Sequence, residues 1–430
     1  MLLRVLSARR RRFALITAGP LLAALLAGAG ADPATAGPPA DPASPAAPEW
    51  VTSWGGSAMS PSALVSGVQT LQNQTVRNVI YTSTGGDQLR IRVSNAFGDR
   101  AVRIGAATVA RQLRDAGLDP ATVHRLTFAG RPAITLARGG SAVSDPVRMR
   151  VPALANLAVS LYLPDFTGPA TYHQGPQQTN YLAPGDATGS TGAAAFTTVG
   201  TWFFLDAVQV RGPARSAIIA FGDSITDGAN GQVNANTRWP NYLARRLADR
   251  FGAAAPAVVD EGISGNRILN DSVCFGVNAP ARLDRDVLSQ PGARAVILLE
   301  GINDLGFSQT PNADCTAPNT EVSTDQLIAG YRRIIARVHA AGLKIYGGTL
   351  MPAEGFFYWS PAAEAKRQVV NTWIRTAHAF DGVIDFDRAV SYPGHPNLLD
   401  PKYDSGDHLH PNDGGYQAMA NTIDLTQLTH

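Results

Sequence analysis

The second half of the chain alternates short apolar runs with segments of helical periodicity, and this alternation constrains the fold more than any other feature. Apolar runs long enough for buried strands lie at residues 217–220, 257–259, 295–299, 343–346 and 382–386. Between them, apolar side chains recur at helical spacing in residues 242–251, 327–338 and 362–377. Strands that alternate with helices form a parallel sheet with right-handed crossovers. The pattern therefore predicts a doubly wound α/β domain over residues 213–430.

Residues 49–212 have a different periodicity of apolar residues. Runs that alternate with period two lie at residues 75–81, 88–93, 158–163 and 202–208, without a long segment of helical periodicity. The first two runs are separated by Gly85, Gly86 and Asp87, which predicts a hairpin. Short alternating strands between glycine and proline turns are typical of a β-sandwich. We therefore predict an all-β, sandwich-like domain over residues 49–212.

Four aromatic side chains of this first region allow two interpretations. They are Trp50, Trp54, Tyr172 and Trp202. Such rings stack on sugars when they are exposed, and they fill a core or a domain interface when they are buried. The sequence leaves both interpretations open.

The N-terminal 48 residues are predicted to lie outside the folded protein. A basic stretch, Arg9 to Arg12, precedes a mostly apolar run at residues 13–26 and small residues at 29–31. This is the pattern of a secretory signal peptide over residues 1–31, and it leaves the Sec and Tat routes open. Residues 32–48 are rich in Ala and Pro, which predicts a linker. No later run is long enough for a membrane span.

Charge and cysteine content narrow the possible partners of the exported protein. The formal net charge of +2 includes five arginines in the first 31 residues, so the rest of the chain carries −3. A mildly acidic chain without a basic run argues against nucleic acid or an anionic membrane as a partner. Its two cysteines, Cys274 and Cys315, favour a disulfide because the protein is exported. Two free buried thiols are the alternative, and the sequence does not indicate an oligomeric state.

Polar residues follow three of the predicted strands, and a further group precedes the last helix. Ser224 comes after residues 217–220, Gly265 after residues 257–259 and Asn303 after residues 295–299. The last group contains Asp407 and His410. Open α/β sheets bind ligands at the carboxyl edge of their strands. A serine there also lies near helix N–H groups that favour negative charge. Taken alone, Ser224 is better explained as a helix N-cap than as a nucleophile.

The four groups in this order resemble the motif blocks of the SGNH (GDSL) hydrolase superfamily, over about half of the chain. The resemblance implies a three-layer α/β/α domain that hydrolyses carboxylic esters without a metal or an organic cofactor. It implies Ser224 as the nucleophile, His410 as the base and Asp407 as the group that orients the base. The oxyanion donors would be the backbone N–H groups of Ser224 and Gly265 and the side-chain amide of Asn303.

Neighbouring polar residues receive lesser roles. Three acids are interpreted as acceptors for loop amides: Asp223, Asp227 and Asp304. His408 is interpreted as a bystander, since the family motif counts three residues from Asp407 to His410. A zinc site made of Asp407, His408 and His410 is an alternative, but the chain has no H-E-x-x-H motif.

The sequence says least about the substrate. An aromatic cluster either lines an acyl or alcohol pocket or packs a loop: Phe356, Phe357, Tyr358 and Trp359. Because the loops after Gly265 and Asn303 are polar, short-chain or glycan-linked acyl esters are the preferred substrates. A lipase or phospholipase and an acyltransferase are the alternatives. From a different class, the chain could be a carbohydrate-binding protein with an inactive hydrolase domain.

Overall fold

A strand-rich, antiparallel region comes first in the computed structural model, which describes residues 49–65, 69–311 and 314–429. The predicted signal peptide and linker lie outside the described residues. The strands of this region are β1 (Val51–Gly55), β2 (Gln74–Tyr81), β3 (Gly86–Ser94), β4 (Val102–Ile104), β5 (Ala106–Arg111), β6 (His124–Arg125), β7 (Ile134–Leu136), β8 (Ser141–Val143), β9 (Val147–Val151), β10 (Asn156–Leu163), β11 (Tyr172–Gln174), β12 (Asn180–Pro184), β13 (Thr197–Val199), β14 (Thr201–Phe203) and β15 (Leu205–Arg211).

Two antiparallel sheets of this region share one apolar core. The first has the strand order β1-β15-β3-β8, with β9 also paired to β3, and the second has the order β13-β12-β2-β10-β5-β6. Alternate side chains of β3 and β10 are fully buried in the same cluster: Leu89, Ile91, Val93, Leu157, Val159 and Leu161. Two sheets that face each other across one core confirm the predicted sandwich-like arrangement.

Two sequence-based predictions about this region are wrong. The hairpin of residues 75–81 and 88–93 does not form, because β10 and β12 occupy both edges of β2 while β3 lies in the other sheet. The predicted strand at residues 202–208 is divided at Phe204, whose φ of 56° turns the chain from β14 into β15.

The aromatic side chains are also mostly buried. Trp54, Tyr172 and Trp202 are 6%, 2% and 5% exposed and belong to the sandwich core. Only Trp50 is partly exposed, and the Arg90 guanidinium lies 4.4 Å from the centre of its ring. The core interpretation is therefore correct for the three buried rings, which offer no face to a sugar.

The second half of the chain forms a parallel sheet between helices. Its strands are β16 (Ala217–Gly222), β17 (Ala257–Gly262), β18 (Ala293–Leu299), β19 (Lys344–Gly348) and β20 (Gly382–Ile384), in the order β17-β16-β18-β19-β20. A short antiparallel pair follows, β21 (Ser391–Tyr392) and β22 (His395–Leu399). The helices are α1 (Ser224–Asp227), α2 (Trp239–Phe251), α3 (Ala279–Leu283), α4 (Ile302–Phe307), α5 (Thr324–Ala340), α6 (Pro361–Thr376), α7 (Phe386–Val390), α8 (Asp413–Thr422) and α9 (Leu425–Thr429).

The helices pack in two groups, with α2, α7 and α8 in one and α3, α4, α5 and α6 in the other. Every residue of the interior strand β16 is buried, as expected for a strand covered on both faces. The predicted three-layer α/β/α fold with a parallel sheet is confirmed. None of the described helices is long and apolar enough to cross a bilayer.

Helix α5 illustrates how the sequence determines where a helix begins, which face it buries and where it ends. The Ser323 hydroxyl accepts the backbone N–H of Gln326, and the Gln326 side chain accepts the backbone N–H of Ser323, which forms a capping box. Its buried residues recur every three or four positions: Leu327, Tyr331, Ile334 and Val338. Gly342 follows the helix with a φ of 73°, a conformation that favours glycine.

The strand-rich and α/β regions belong to one compact unit. The backbone N–H of Thr52 in β1 donates to Pro291, and the Ser83 hydroxyl accepts the backbone N–H of Val258 in β17. The division into domains at residues 212 and 213 stays a prediction.

Candidate active site

Ser224 lies at the carboxyl edge of the parallel sheet, where β16 passes into α1. The carboxylate of Asp223 accepts the backbone N–H of Ile225 at 3.0 Å and so caps the helix. A Cβ on Gly222 would lie 2.3 Å from the carbonyl oxygen of Leu299, so glycine allows β16 to approach β18 at this point. The turn places Ser224 first in the helix, with 5% of its surface exposed.

The side chains of Ser224, His410 and Asp407 form a continuous hydrogen-bonded series. Ser224 Oγ lies 2.7 Å from His410 Nε2, and His410 Nδ1 lies 2.6 Å from Asp407 Oδ2. The backbone N–H of His410 also donates to Asp407 Oδ1 at 2.8 Å, which the three-residue spacing allows. Since a carboxylate only accepts, Nδ1 carries the proton and Nε2 is free to accept the serine hydroxyl.

The charge of Asp407 is stabilised by its surroundings. Burial alone would raise its pKa, but the hydrogen bonds and charge of His410, with the backbone N–H of Leu409, lower the pKa of Asp407 to about 2. The side-chain amide of Asn230 donates to Asp407 Oδ2 at 2.9 Å. No sequence motif marks Asn230, which lies six positions after the serine. Asp407 is therefore ionised wherever histidine titrates.

The backbone N–H groups of two predicted oxyanion donors are available to a ligand. Among the described residues, no protein group accepts the backbone N–H of Ser224 or of Gly265. Gly265 has a φ of 77°, and a Cβ at this position would lie 2.3 Å from the ring of Phe275. Glycine is therefore required here both by conformation and by the close approach of Phe275.

The Asn303 side chain is held in one orientation. Its Nδ2 donates to the carbonyl of Asn266 at 3.1 Å, and its Oδ1 accepts the hydroxyl of Tyr358 at 3.3 Å. Because Nδ2 has two protons, one remains for a ligand. The structure thus gives Tyr358 a contact that the sequence did not predict, since its partner lies on α4, 55 positions earlier in the chain.

Residues 220–418 match the family model of the GDSL-like lipase/acylhydrolase family. They form a GDSL-like acylhydrolase domain.

Solved structures similar to this chain include an acetylxylan esterase from Geobacillus stearothermophilus, at 22% identity and a TM-score of 0.38, covering 50% of this chain and 95% of that one. A putative acylhydrolase from Bacteroides fragilis is 19% identical with a TM-score of 0.36, covering 50% and 87%. A putative lipolytic protein of the G-D-S-L family from Desulfitobacterium hafniense is 18% identical with a TM-score of 0.36, covering 48% and 97%. No curated protein matches the chain.

A buried arginine, Arg282, joins the strand ends of the acylhydrolase domain. Its guanidinium is fully buried and donates to the carbonyls of Gly222 and Glu261, both at 2.7 Å, and to Asn266 Oδ1 at 2.8 Å. Asn266 in turn donates to the carbonyl of Phe275 at 2.8 Å. Arg282 thereby fixes the ends of β16 and β17 relative to the loop that carries Phe275. No sequence pattern distinguished it from other arginines.

The three nearby acids accept backbone amides in the structure. Asp304 accepts the backbone N–H groups of Ile268 and Leu269, both at 2.8 Å. Asp223 caps α1, and Asp227 accepts the backbone N–H of Ser264 at 3.3 Å. Burial raises the pKa of Asp304 to about 6 and that of Asp223 to about 7. Asp227 also contacts a histidine of the strand-rich region, which the sequence did not predict.

The His408 side chain contacts a different carboxylate from that of His410. Its Nδ1 lies 2.8 Å from Asp404 Oδ2, and its side chain is 54% exposed. It does not join Asp407 and His410 in one cluster. Within residues 49–65, 69–311 and 314–429, no group of three or more His, Cys, Asp or Glu side chains is placed to hold a metal ion.

Only part of the predicted aromatic pocket borders the site. The ring centre of Phe356 lies 5.8 Å from that of His410 and 4.6 Å from that of Tyr358. Phe307 continues the row, 5.6 Å from Tyr358 and 5.7 Å from Phe275. We call these four rings the aromatic cluster: Phe275, Phe307, Phe356 and Tyr358. Of the other two predicted pocket residues, one is 70% exposed and the other packs partly buried against the core: Phe357 and Trp359.

The two cysteines form a disulfide, which confirms the prediction. Cys274 and Cys315 are 41 residues apart, and their Cα atoms lie 5.1 Å from each other. The bond joins the loop after Gly265 to the loop after Asn303. Arg267 reinforces the junction, since its guanidinium donates to carbonyls of both loops at 2.6–3.1 Å: Asp271, Thr316, Ala317 and Pro318.

Replacement of both cysteines by alanine is expected to destabilise the protein and to slow its reaction. Opening a loop of this length costs about 4 kcal/mol on the chain-entropy model, or roughly 5 °C in Tm for a folded unit of this size. We also expect a lower kcat, because Phe275 is adjacent to Cys274 and rests on Gly265. Calorimetry and ester turnover measure the two effects, and reductant should change the wild type but not the variant. Two reactive thiols in unfolded, unreduced wild-type protein would contradict the disulfide.

Proposed function

We propose that the protein is an ester hydrolase that works through an acyl-enzyme on Ser224. The observation that carries this proposal is the hydrogen-bonded series from Ser224 Oγ through His410 to Asp407, with distances of 2.7 and 2.6 Å. A serine hydroxyl becomes a useful nucleophile when an oriented imidazole can take its proton. The family assignment of residues 220–418 supports the same chemistry.

In the first half-reaction, Ser224 Oγ attacks the ester carbonyl carbon while its proton passes to His410 Nε2. The carbonyl oxygen becomes an oxyanion that accepts from the N–H groups of Ser224 and Gly265 and from Asn303 Nδ2. His410 then returns the proton to the alcohol as the C–O bond breaks. Asp407 stabilises the imidazolium that exists between these steps.

In the second half-reaction, His410 takes a proton from water, and the resulting nucleophile attacks the acyl carbon. Collapse of this intermediate releases the carboxylic acid and restores the Ser224 hydroxyl. An acyltransferase differs only in the acceptor, because another alcohol then replaces the water.

We propose short acyl groups on a polar alcohol, such as an acylated glycan, as the substrate. The aromatic cluster borders one side of the site, and its Phe275 ring lies directly on Gly265. Asn230 and Ser405, whose side chains are 3.1 Å apart, form a polar group next to Asp407. An aromatic group and a polar group at one site suit a small apolar acyl group with a hydrophilic leaving group. The basic and apolar N-terminal sequence, together with the disulfide, supports export of the protein.

A panel of p-nitrophenyl esters, from acetate to palmitate, tests the proposal beside acetylated xylan and phospholipid vesicles. We expect kcat/KM to be highest for acetate or butyrate and to be lost in Ser224→Ala. A maximum at palmitate, or phospholipid turnover that exceeds acetate release, would favour a lipase. Ester exchange with an added alcohol at the expense of hydrolysis would favour an acyltransferase. No turnover of any ester would contradict the proposed function.

Asn303→Ala is expected to lower kcat by about 10²–10³-fold with little change in KM, since the lost N–H acts on the oxyanion. Tyr358→Phe should lower kcat by only about tenfold, because it removes the bond that orients the Asn303 amide but not the amide itself. Steady-state kinetics on p-nitrophenyl acetate measure both effects. Phe357→Ala is the control on the same loop, because this side chain is exposed. A change confined to KM would make Asn303 a substrate-binding residue instead.

A further inference from the structure

A buried histidine of the strand-rich region reaches the acylhydrolase domain. His173 lies on β11, and 3% of its surface is exposed. Its Nδ1 is 2.9 Å from the carbonyl oxygen of Ser57, and its Nε2 is 3.1 Å from Asp227 Oδ1. The Trp202 ring covers it, with the ring centres 5.3 Å apart. Asp227 is the last residue of α1, three positions after Ser224.

The two contacts of His173 determine the protonation state of its imidazole. A carbonyl oxygen and a carboxylate oxygen both only accept hydrogen bonds, so both ring nitrogens must donate. A neutral imidazole has a single N–H, whereas the imidazolium has two. Asp227 Oδ2 meanwhile accepts the hydroxyl of Ser264 at 2.8 Å, which suits a carboxylate. The geometry therefore describes a buried imidazolium–carboxylate pair.

Asp227 links His173 to the segment that carries a proposed oxyanion donor, Gly265. Its second oxygen accepts both the backbone N–H and the hydroxyl of Ser264, the residue before Gly265. The two segments also touch at the backbone, since a Cβ on Gly262 would lie 2.3 Å from the Asp227 nitrogen. The position of the Asp227 carboxylate thus sets where the Gly265 N–H lies relative to Ser224.

We propose that His173 is a positioning residue of the ester-hydrolase site: as an imidazolium it fixes Asp227, which places Ser264 and Gly265 for the oxyanion. The inference rests on the proposed function. It gives the strand-rich region a part in catalysis, because this region supplies a contact without which the oxyanion donors are less well placed.

The surroundings of His173 favour its charged form. Burial would lower its pKa, but the charge and hydrogen bond of Asp227 and the Ser57 carbonyl outweigh this, so that the pKa of His173 is raised. The titratable groups that line the adjoining cavity are Tyr81, Asp227, Arg238 and Asp260. Arg238 lies against Asp260, whose pKa burial raises to about 7, with 3.8 Å between Nε and Oδ2.

A raised folded-state pKa has a defined effect on stability. The stabilisation by His173 is complete below its unfolded pKa of about 6.5 and is lost as the pH rises through the folded-state value. The kcat should depend on the same protonation of His173. We expect wild-type kcat to fall at alkaline pH, when His173 loses its charge.

The test compares His173→Gln with wild type on p-nitrophenyl acetate between pH 5 and pH 10. Glutamine can still donate to Asp227 but carries no charge. We expect kcat to fall about 10–100-fold at neutral pH with KM unchanged, and the alkaline fall to disappear. Asp227→Asn should show the same changes, and it serves as a second variant if His173→Gln does not fold. His339→Gln is the matched control, because it also removes a His–Asp contact, 2.8 Å long and partly exposed.

The outcomes separate the two proposals. If wild type hydrolyses the ester and both variants retain its kcat and its alkaline fall, the positioning role is overturned while the proposed function stands. A lower kcat with an unchanged pH profile would also overturn it, since that is the result of general destabilisation. If wild type hydrolyses no ester, the proposed function fails and the positioning role fails with it.

Discussion

Ser224→Ala is expected to lower kcat for p-nitrophenyl acetate by about 10⁵–10⁶-fold while Tm stays within a few degrees of wild type. Among the described contacts, the hydroxyl bonds only to His410, so alanine leaves no other buried partner unpaired. His410→Ala should cost nearly as much. The double variant should be no worse than either single one, because the two groups act in the same proton transfer.

His408→Ala is the matched control for this prediction. It removes a second histidine from the same loop, but one whose ring contacts Asp404 and is half exposed. Its kcat should lie within about twofold of wild type. An inactive His408→Ala combined with an active His410→Ala would reverse the assignment of the base.

Asp407→Asn is expected to lower kcat by about 10⁴-fold without a large change in KM. An amide in place of the carboxylate can turn its NH₂ towards His410 Nδ1, which then favours the tautomer with its proton on Nε2. That tautomer cannot accept the proton of Ser224. The loss should therefore exceed what a single hydrogen bond contributes, and it is measured by steady-state kinetics with a pH profile.

Asn230→Ala supplies a graded comparison for Asp407. It removes one donor, at 2.9 Å, but leaves the carboxylate and its bond to His410 in place. A decrease in kcat of about tenfold is expected, in line with the loss of one charge-assisted bond. If Asp407→Asn costs no more than Asn230→Ala, the carboxylate is a structural acceptor and not the partner of a catalytic imidazole.

The sequence predicted the parts of the fold that depend on local periodicity. The five predicted strands of the second half became β16 to β20, because strands between two layers of helices are mostly apolar and this pattern is local in sequence. The hairpin prediction was wrong because the sheet that a strand joins depends on distant partners such as β10, and no local pattern encodes these partners. The division of the predicted strand at Phe204 was missed for a related reason. The positive φ of this residue is held by its buried environment, and the residue type is not one that forms turns.

The candidate site likewise combines residues that a motif predicts with residues that only the packing of distant segments brings together. The resemblance to the SGNH (GDSL) motif blocks predicted that Ser224, Asp407 and His410 act together, and their side chains are hydrogen-bonded in the structure. The residues that support them come from unrelated positions: Asn230, Arg282, Tyr358 and His173. Each is an ordinary polar or aromatic residue in sequence and acquires its contact only through the packing of separate loops or regions. Such residues are visible once a structure exists and not before.

Covalent trapping with a fluorophosphonate tests the central claim most directly, because this reagent reacts with a serine that an adjacent base activates. Intact-mass analysis followed by peptide mapping should find one adduct, on Ser224, in the wild type. The adduct should be absent from Ser224→Ala, form much more slowly in His410→Ala and form at the wild-type rate in His408→Ala. An adduct on any other residue, or an unmodified Ser224 in a protein that hydrolyses esters, would contradict the account.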